Sequence, residues 1–249
     1  AGVQSHNEAL RIYEAPGNTR QGRELISMVA RVGMVTIGQT PRNDVVPEIQ
    51  TLLGSAIEIL QCGALDGLSL EEVRKLAPTS GDSILVTRMR NGEEVTVGES
   101  RILPRIQQCV NNLAPRCDVL AMLCTGQFPQ LVSDRMIVMP DALLDGVVNG
   151  IQGVRTIGVF IPSAEQKAQA LERWKRPDRS VVVESASPYS ERDVVTPAAQ
   201  KIAASKPDLI VLDCMGYTFR TKEVVKKATG KPVILPRSVL ARSIVELVG

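Results

Sequence analysis

Short apolar stretches alternate with longer amphipathic ones along most of this chain. The short stretches, at 29–38, 58–65, 136–139, 156–161, 181–185 and 233–235, suit buried strands. The longer ones carry apolar residues at helical spacing and predict helices over 43–54, 102–113, 142–151, 163–175, 193–205, 220–229 and 239–248. Ser69-Leu-Glu-Glu72 and Ser163-Ala-Glu-Gln166 each spell a capping box at a helix start. Asn91-Gly92, between apolar runs at 83–90 and 94–99, is a strong hairpin signal. Strand–helix alternation of this kind predicts an α/β fold, a mostly parallel sheet with helices on both faces. Residues 1–28 lack periodicity and contain the breaker cluster Ala15-Pro16-Gly17-Asn18, so they read as an extension with at most a short helix at 22–27.

Two further apolar runs repeat one another. Asp118-Val-Leu-Ala-Met-Leu-Cys124-Thr-Gly126 and Asp208-Leu-Ile-Val-Leu-Asp-Cys214-Met-Gly216 share Asp, Cys and Gly at a constant offset of 90 residues. Each reads as a strand whose Cys lies at the carboxyl end, where open α/β sheets place their ligand crevices. Val32-Gly-Met-Val-Thr36 likewise resembles Ile157-Gly-Val-Phe-Ile161. The simplest architecture is two pseudo-symmetric lobes sharing a cleft within 29–249. One lobe would span 29–135 plus the C-terminal helix, and the other 136–236.

Composition narrows the function. The net charge is +2, from 29 basic and 27 acidic residues, and aromatics make up 3%, so nucleic acid is not an expected partner. No apolar run reaches the roughly 20 residues of a membrane span, and a cytoplasmic protein is the default. By base rate the default assembly is a homodimer. The single histidine, His6, lies in the N-terminal tail, which leaves no material for His triads or His-rich zinc sites. No P-loop or Gly-x-Gly-x-x-Gly follows a strand. Neither a metal nor a cofactor is expected. Five cysteines in a chain this long, without Cys-x-x-Cys, predict reduced thiols, with Cys62, Cys109 and Cys117 in the core or on the surface.

Cys124 and Cys214 can be read as small core hydrophobes or as chemistry. Two thiols facing each other across a crevice supply an acid and a base, so that one abstracts a proton while the other returns one to the opposite face. Thr36, Gln39, Thr40 and Arg42 form a second cluster. There a strand end, Pro41 and a helix start would meet an anion, with Arg42 gripping a carboxylate, unless Thr40 merely caps the helix. Pro162 and Ser163 offer a similar terminus, and Thr125, Gly126, Gly216, Tyr217 and Thr218 flank the cysteines as potential donors. The basic run at 173–176 reads as a solvated helix end.

Val35-Thr-Ile-Gly-Gln-Thr-Pro-Arg42 and Leu212-Asp-Cys-Met-Gly-Tyr217 resemble the corresponding motifs of AroM-family proteins, over roughly residues 30–249. That family is similar to the aspartate/glutamate racemase superfamily, which includes hydantoin racemases, arylmalonate decarboxylases and maleate isomerases. The resemblance implies two pseudo-symmetric lobes with one cleft cysteine from each, at Cys124 and Cys214. The sequence departs from the racemase pattern at Thr125-Gly126, where Asn-Thr is usual, and at Asp213 and Met215, where Gly and Thr are usual. An anionic Asp213 facing the pocket would raise the pKa of Cys214.

The expectation is therefore a racemase- or isomerase-type enzyme moving protons between Cys124 and Cys214 on a small carboxylate-bearing molecule or other small anion. The alternatives are a non-catalytic metabolite binder on the same fold, or a single-cysteine lyase or cis–trans isomerase.

Overall fold

The computed structural model describes residues 29–249. The N-terminal extension, its expected short helix and His6 lie outside the described residues. The first lobe runs β1 (Ala30–Thr36), α1 (Val46–Leu53), β2 (Ile57–Gly63), a short α2 (Leu70–Arg74), the hairpin β3 (Ile84–Arg88) and β4 (Glu94–Gly98), α3 (Glu99–Leu113), β5 (Val119–Met122) and β6 (Ile137–Val138). The second runs α4 (Pro140–Asn149), β7 (Thr156–Ile161), α5 (Lys167–Trp174), β8 (Ser180–Ser185), α6 (Val195–Ala203), β9 (Leu209–Leu212), α7 (Phe219–Thr229), β10 (Val233–Ile234) and α8 (Pro236–Val248).

Each lobe is built on a four-stranded parallel sheet. The strand orders are β2-β1-β5-β6 and β8-β7-β9-β10, the same arrangement twice. The registers match as well. Gly33 pairs with Leu120 in one sheet, and Gly158 with Ile210 in the other. The Asp of the repeated pattern has a structural task in both copies. Asp118 accepts from the Arg31 N–H at 2.8 Å and Asp208 from the Thr156 N–H at 2.9 Å, pinning the starts of adjacent strands. Farther along, the Leu123 N–H donates to the Val35 carbonyl (2.7 Å) and the Asp213 N–H to that of Phe160 (2.8 Å). Cys124 and Cys214 thus leave their sheets at equivalent points.

The expected lobe boundary at 136 needs correction. β6 pairs in parallel with β5, through Leu120 with Ile137 and Ala121 with Val138, so the first sheet extends to residue 138. Its short apolar run completes an edge instead of opening a new layer. The helices after the two last strands then cross over. Leu144 and Val148 of α4 pack among Ile157, Val159 and Trp174 of the second lobe, whereas Leu240, Ala241 and Ile244 of α8 pack among Val32, Met34 and Val119 of the first. Among the described residues no helix is long and apolar enough to cross a membrane.

A second correction concerns the cysteines. Cys62 on β2 and Cys109 on α3 form a disulfide, with Cα atoms 5.4 Å apart. A strand and the helix covering it bring the pair within bridging range, which a separation of 47 residues cannot reveal. Cys117 is free and buried, its thiol donating to the Leu113 carbonyl at 3.1 Å.

Gly33 and Gly158 occupy equivalent strand positions beneath close-packed helices. A Cβ on Gly33 would meet Leu120 Cδ2 at 2.7 Å, Cys117 Sγ at 2.9 Å and Leu113 Cβ at 3.1 Å. On Gly158 its nearest contact would be the flexible end of Ile202, at 2.7 Å. Overpacking of this kind costs about 1–3 kcal/mol. Gly33→Ala is expected near the top of that range and Gly158→Ala near the bottom, because Gly33 also faces Cys117 Sγ and the backbone-fixed Leu113 Cβ, whereas Gly158 faces only the flexible ends of Ile202 and Ile210. The urea midpoints of the two variants measure the difference.

Candidate functional site

The carboxyl ends of the two sheets face one small cavity of about 50 Å³. Cys124 and Cys214 both line it, each 8% exposed. The Gly two residues beyond each cysteine turns its N–H back onto the sulfur, from Gly126 at 3.2 Å and from Gly216 at 3.3 Å. Both glycines are closely packed: a Cβ would lie 2.6 Å from Pro188 Cγ at Gly216, and at Gly126 2.9 Å from the flexible end of Leu85. The repeated Cys-x-Gly is therefore a tight loop that holds a thiol at a cleft.

Arg42 forms one wall. It is 3% exposed and grips Asp44 bidentately, Nε to Oδ1 at 2.9 Å and Nη2 to Oδ2 at 2.8 Å. It also donates to Thr36 Oγ1 (2.7 Å) and to the Tyr189 hydroxyl oxygen (3.3 Å). Burial opposes its charge, but the hydrogen bonds and charge of Asp44 more than offset this, so the guanidinium is held more firmly than usual. Fully buried Arg237, from the start of α8, donates to the Met215 carbonyl at 2.6 Å and to Glu48 at 2.7 Å. It thereby braces the loop that carries Cys214.

Arg173 forms the opposite wall, which corrects the reading of 173–176 as a solvated helix end. Its Nη1 donates to the Thr125 carbonyl (2.8 Å) and to Asp213 Oδ1 (2.9 Å), and its Nη2 to the Asp141 carbonyl (3.2 Å). Trp174 Nε1 donates to the other Asp213 oxygen at 2.7 Å. One guanidinium thus joins the residue after Cys124 to the residue before Cys214. Gln166, Gln169, Ala170 and Arg173 all line the cavity at the i, i+3, i+4, i+7 spacing of one helical face. That spacing was the signal available in the sequence.

The roof is the hairpin, whose Leu85, Val86 and Thr87 reach over the cavity. Gln166 Nε2 donates to the Ile84 carbonyl at 2.9 Å, and the Ile84 N–H donates to Gln169 Oε1 at 3.1 Å. The Arg88 guanidinium sits 5.8 Å from the centre of the Tyr189 ring.

Of the residues singled out in the sequence, Arg42, Cys124, Thr125, Gly126, Pro162 and Cys214 line the cavity. The others serve it indirectly or not at all. Thr36 is fully buried behind Arg42, and Gln39 donates to the Leu65 and Leu68 carbonyls. Thr40 bonds Asp66 and caps no helix, because α1 begins only at Val46 with Pro47 in its first turn. Ser163 caps a short 3₁₀ turn, and Thr218 caps α7. The Tyr217 hydroxyl is fully buried and donates to the Ala186 carbonyl at 2.7 Å, so Tyr189 is the tyrosine at the site.

The two thiols are not electrostatically equivalent. Burial pushes Cys124 up to about 12, and Cys214, Asp213 and Asp141 push the same way against the Gly126 N–H. Burial pushes Cys214 up to about 11; the Gly216 N–H, Arg42 and Arg237 restrain it, while Asp213 raises it. Cys214 is thus the better thiolate. Iodoacetamide labelling at pH 8, mapped by mass spectrometry, is expected to modify Cys214 faster than Cys124. Arg173→Met, which leaves Asp213 buried and unpaired, is expected to cost about 3–5 kcal/mol in thermal unfolding.

A search of curated proteins finds no match. Among solved structures the chain is similar to Picrophilus torridus aspartate racemase, at 12% identity and a TM-score of 0.57, over 88% of this chain and 94% of that one. It is similar to Nocardia farcinica maleate cis-trans isomerase bound to Tris, at 14% identity and a TM-score of 0.59, over 88% and 92%. Allantoin racemase from Klebsiella pneumoniae matches at 12% identity and a TM-score of 0.56, over 88% and 86%. Identities this low establish the aspartate/glutamate racemase-like fold and nothing finer. The AroM protein family matches residues 32–248, and the chain belongs to that family.

Proposed function

We propose that the protein is a racemase- or isomerase-type enzyme working by cofactor-independent proton transfer on a small carboxylate-bearing substrate. The observation that carries this reading is the placement of two thiols, at equivalent ends of two matching sheets, on one small cavity. Arg42 would orient the substrate carboxylate. Its grip on Asp44, Thr36 and Tyr189 fixes the direction in which its remaining N–H points.

The proton balance is simple. The Cys214 thiolate takes the proton from the carbon next to the carboxylate, and the Cys124 thiol gives its proton to the opposite face. The product leaves with inverted configuration, and the protein is left with the protonation states of its cysteines exchanged. The reverse direction restores them. Burial opposes ionisation of both thiols, but Arg42 and Arg237 offset part of it at Cys214, whereas Asp213 and Asp141 add to it at Cys124, so Cys214 is the more readily ionised of the two.

The same asymmetry favours a second reading, in which Cys214 alone acts as a nucleophile in lyase or cis–trans isomerase chemistry. Exchange of the α-proton in D₂O, followed by NMR over a panel of amino acids and small carboxylic acids, separates the two. Two-thiol chemistry predicts that Cys124→Ser and Cys214→Ser each slow exchange by about 10²-fold or more. Retention of turnover by Cys124→Ser would leave single-cysteine chemistry. Absence of exchange and turnover with every compound, alongside a thermal shift from one of them, would make the protein a binder.

A further inference from the structure

The charges around the cavity are divided. On the Cys214 side stand Arg42, Arg237 and, beyond Tyr189, Arg88, against Asp44 and Glu48. On the Cys124 side Arg173 is the guanidinium that lines the cavity; it pairs with Asp213 and, together with Arg176, comes within 4.0 Å of Asp145. Arg173 is already committed. Asp213 takes its Nη1, the Thr125 and Asp141 carbonyls accept from it, and only Nε lacks a partner.

Asp213 is itself unusual. At the equivalent point of the first lobe the chain carries apolar Leu123, so the carboxylate is a departure from the internal repeat. It lines the cavity, its side chain is 6% exposed, and Arg173 and Trp174 hold both of its oxygens. A carboxylate that itself lines the cavity and is gripped there by an arginine stands where a bound acid would. By contrast Asp44, which grips Arg42, does not line the cavity and leaves an Arg42 N–H free.

We infer that the cleft takes ligands with one carboxylate, held on the Arg42 wall, and that Asp213 fills the place of a second carboxylate and so excludes dicarboxylates. The far end of the ligand is uncharged or cationic, facing Asp213. A second carboxylate placed there meets like charge in a water-poor cavity and no free guanidinium, which opposes binding on both counts. This inference rests on the carboxylate reading proposed above and narrows it.

The test compares binding of propionate, alanine and malonate to the full chain by calorimetry and ligand-observed NMR. The wild-type protein is expected to bind propionate or alanine at least tenfold more tightly than malonate. Asp213→Asn keeps an acceptor for Trp174 and frees the charge of Arg173, and it is expected to tighten malonate binding at least tenfold. The double variant Asp213→Leu with Arg173→Met removes both charges and is expected to retain the wild-type preference. Malonate binding to the wild type as tightly as propionate overturns this inference and leaves the carboxylate reading intact. Failure of all three to bind the wild type overturns both. Since that comparison needs no variant, a misfolded Asp213→Asn would not protect the proposal.

Discussion

The buried contact between Arg173 and Asp213 sets the geometry of the cleft. One guanidinium nitrogen lies 2.8 Å from the Thr125 carbonyl and 2.9 Å from the Asp213 carboxylate, so a single side chain fixes the spacing of both cysteine loops. Thr125 Oγ1 donates to the Asp213 carbonyl at 3.2 Å and ties the same loops a second time. Buried ion pairs contribute little net stability, since desolvation consumes most of the attraction. Their loss is nevertheless expensive, because a lone buried charge remains. Such a pair specifies one arrangement more than it strengthens it, which suits a position between two thiols that must face each other.

Much of this could be read from the sequence. The α/β class, the hairpin and the repeated strands follow from apolar run lengths and from Asn91-Gly92, because strand burial and turn chemistry are local properties. The Asp-x₅-Cys-x-Gly repeat pointed at the site for physical reasons that the structure supplies. The Asp pins adjacent strands, the Cys leaves the sheet at its carboxyl end, and the Gly passes under neighbouring side chains.

What stayed hidden depends on tertiary distance. Arg173 looked like an ordinary basic residue at a helix end until Thr125, Asp213 and Asp141 closed around it. Tyr189 lies in a loop with no periodic signal, and the disulfide joins positions that only the packing of α3 on β2 makes neighbours. The polar loop after β1 misled for a related reason. Thr40 and Gln39 resembled helix-start chemistry, but nearby Asp66 and the Leu65 and Leu68 carbonyls claimed their hydrogen bonds. Local spelling offers a backbone several ways to satisfy its polar groups, and the surroundings choose among them.

The crossed helices constrain how anything reaches the thiols. α8 is buried against the first lobe and α4 against the second, so a wide hinge between the lobes would expose the apolar faces of both. A cavity of about 50 Å³ holds only a few waters, at roughly 10–15 Å³ each. A larger ligand therefore needs one wall to yield. The sheet ends cannot move without breaking parallel ladders, and the Arg173 wall cannot move without stranding Asp213. The hairpin is different. Its hold on the second lobe comes from Gln166, Gln169, a Ser187–Glu94 contact and Arg88 over Tyr189, mostly part-exposed polar bonds. Each such bond contributes about 1 kcal/mol and is readily exchanged for water. The hairpin's contacts with the second lobe are thus the weakest around the cavity, while its Leu85, Met89, Val95 and Val97 stay packed in the core of the first.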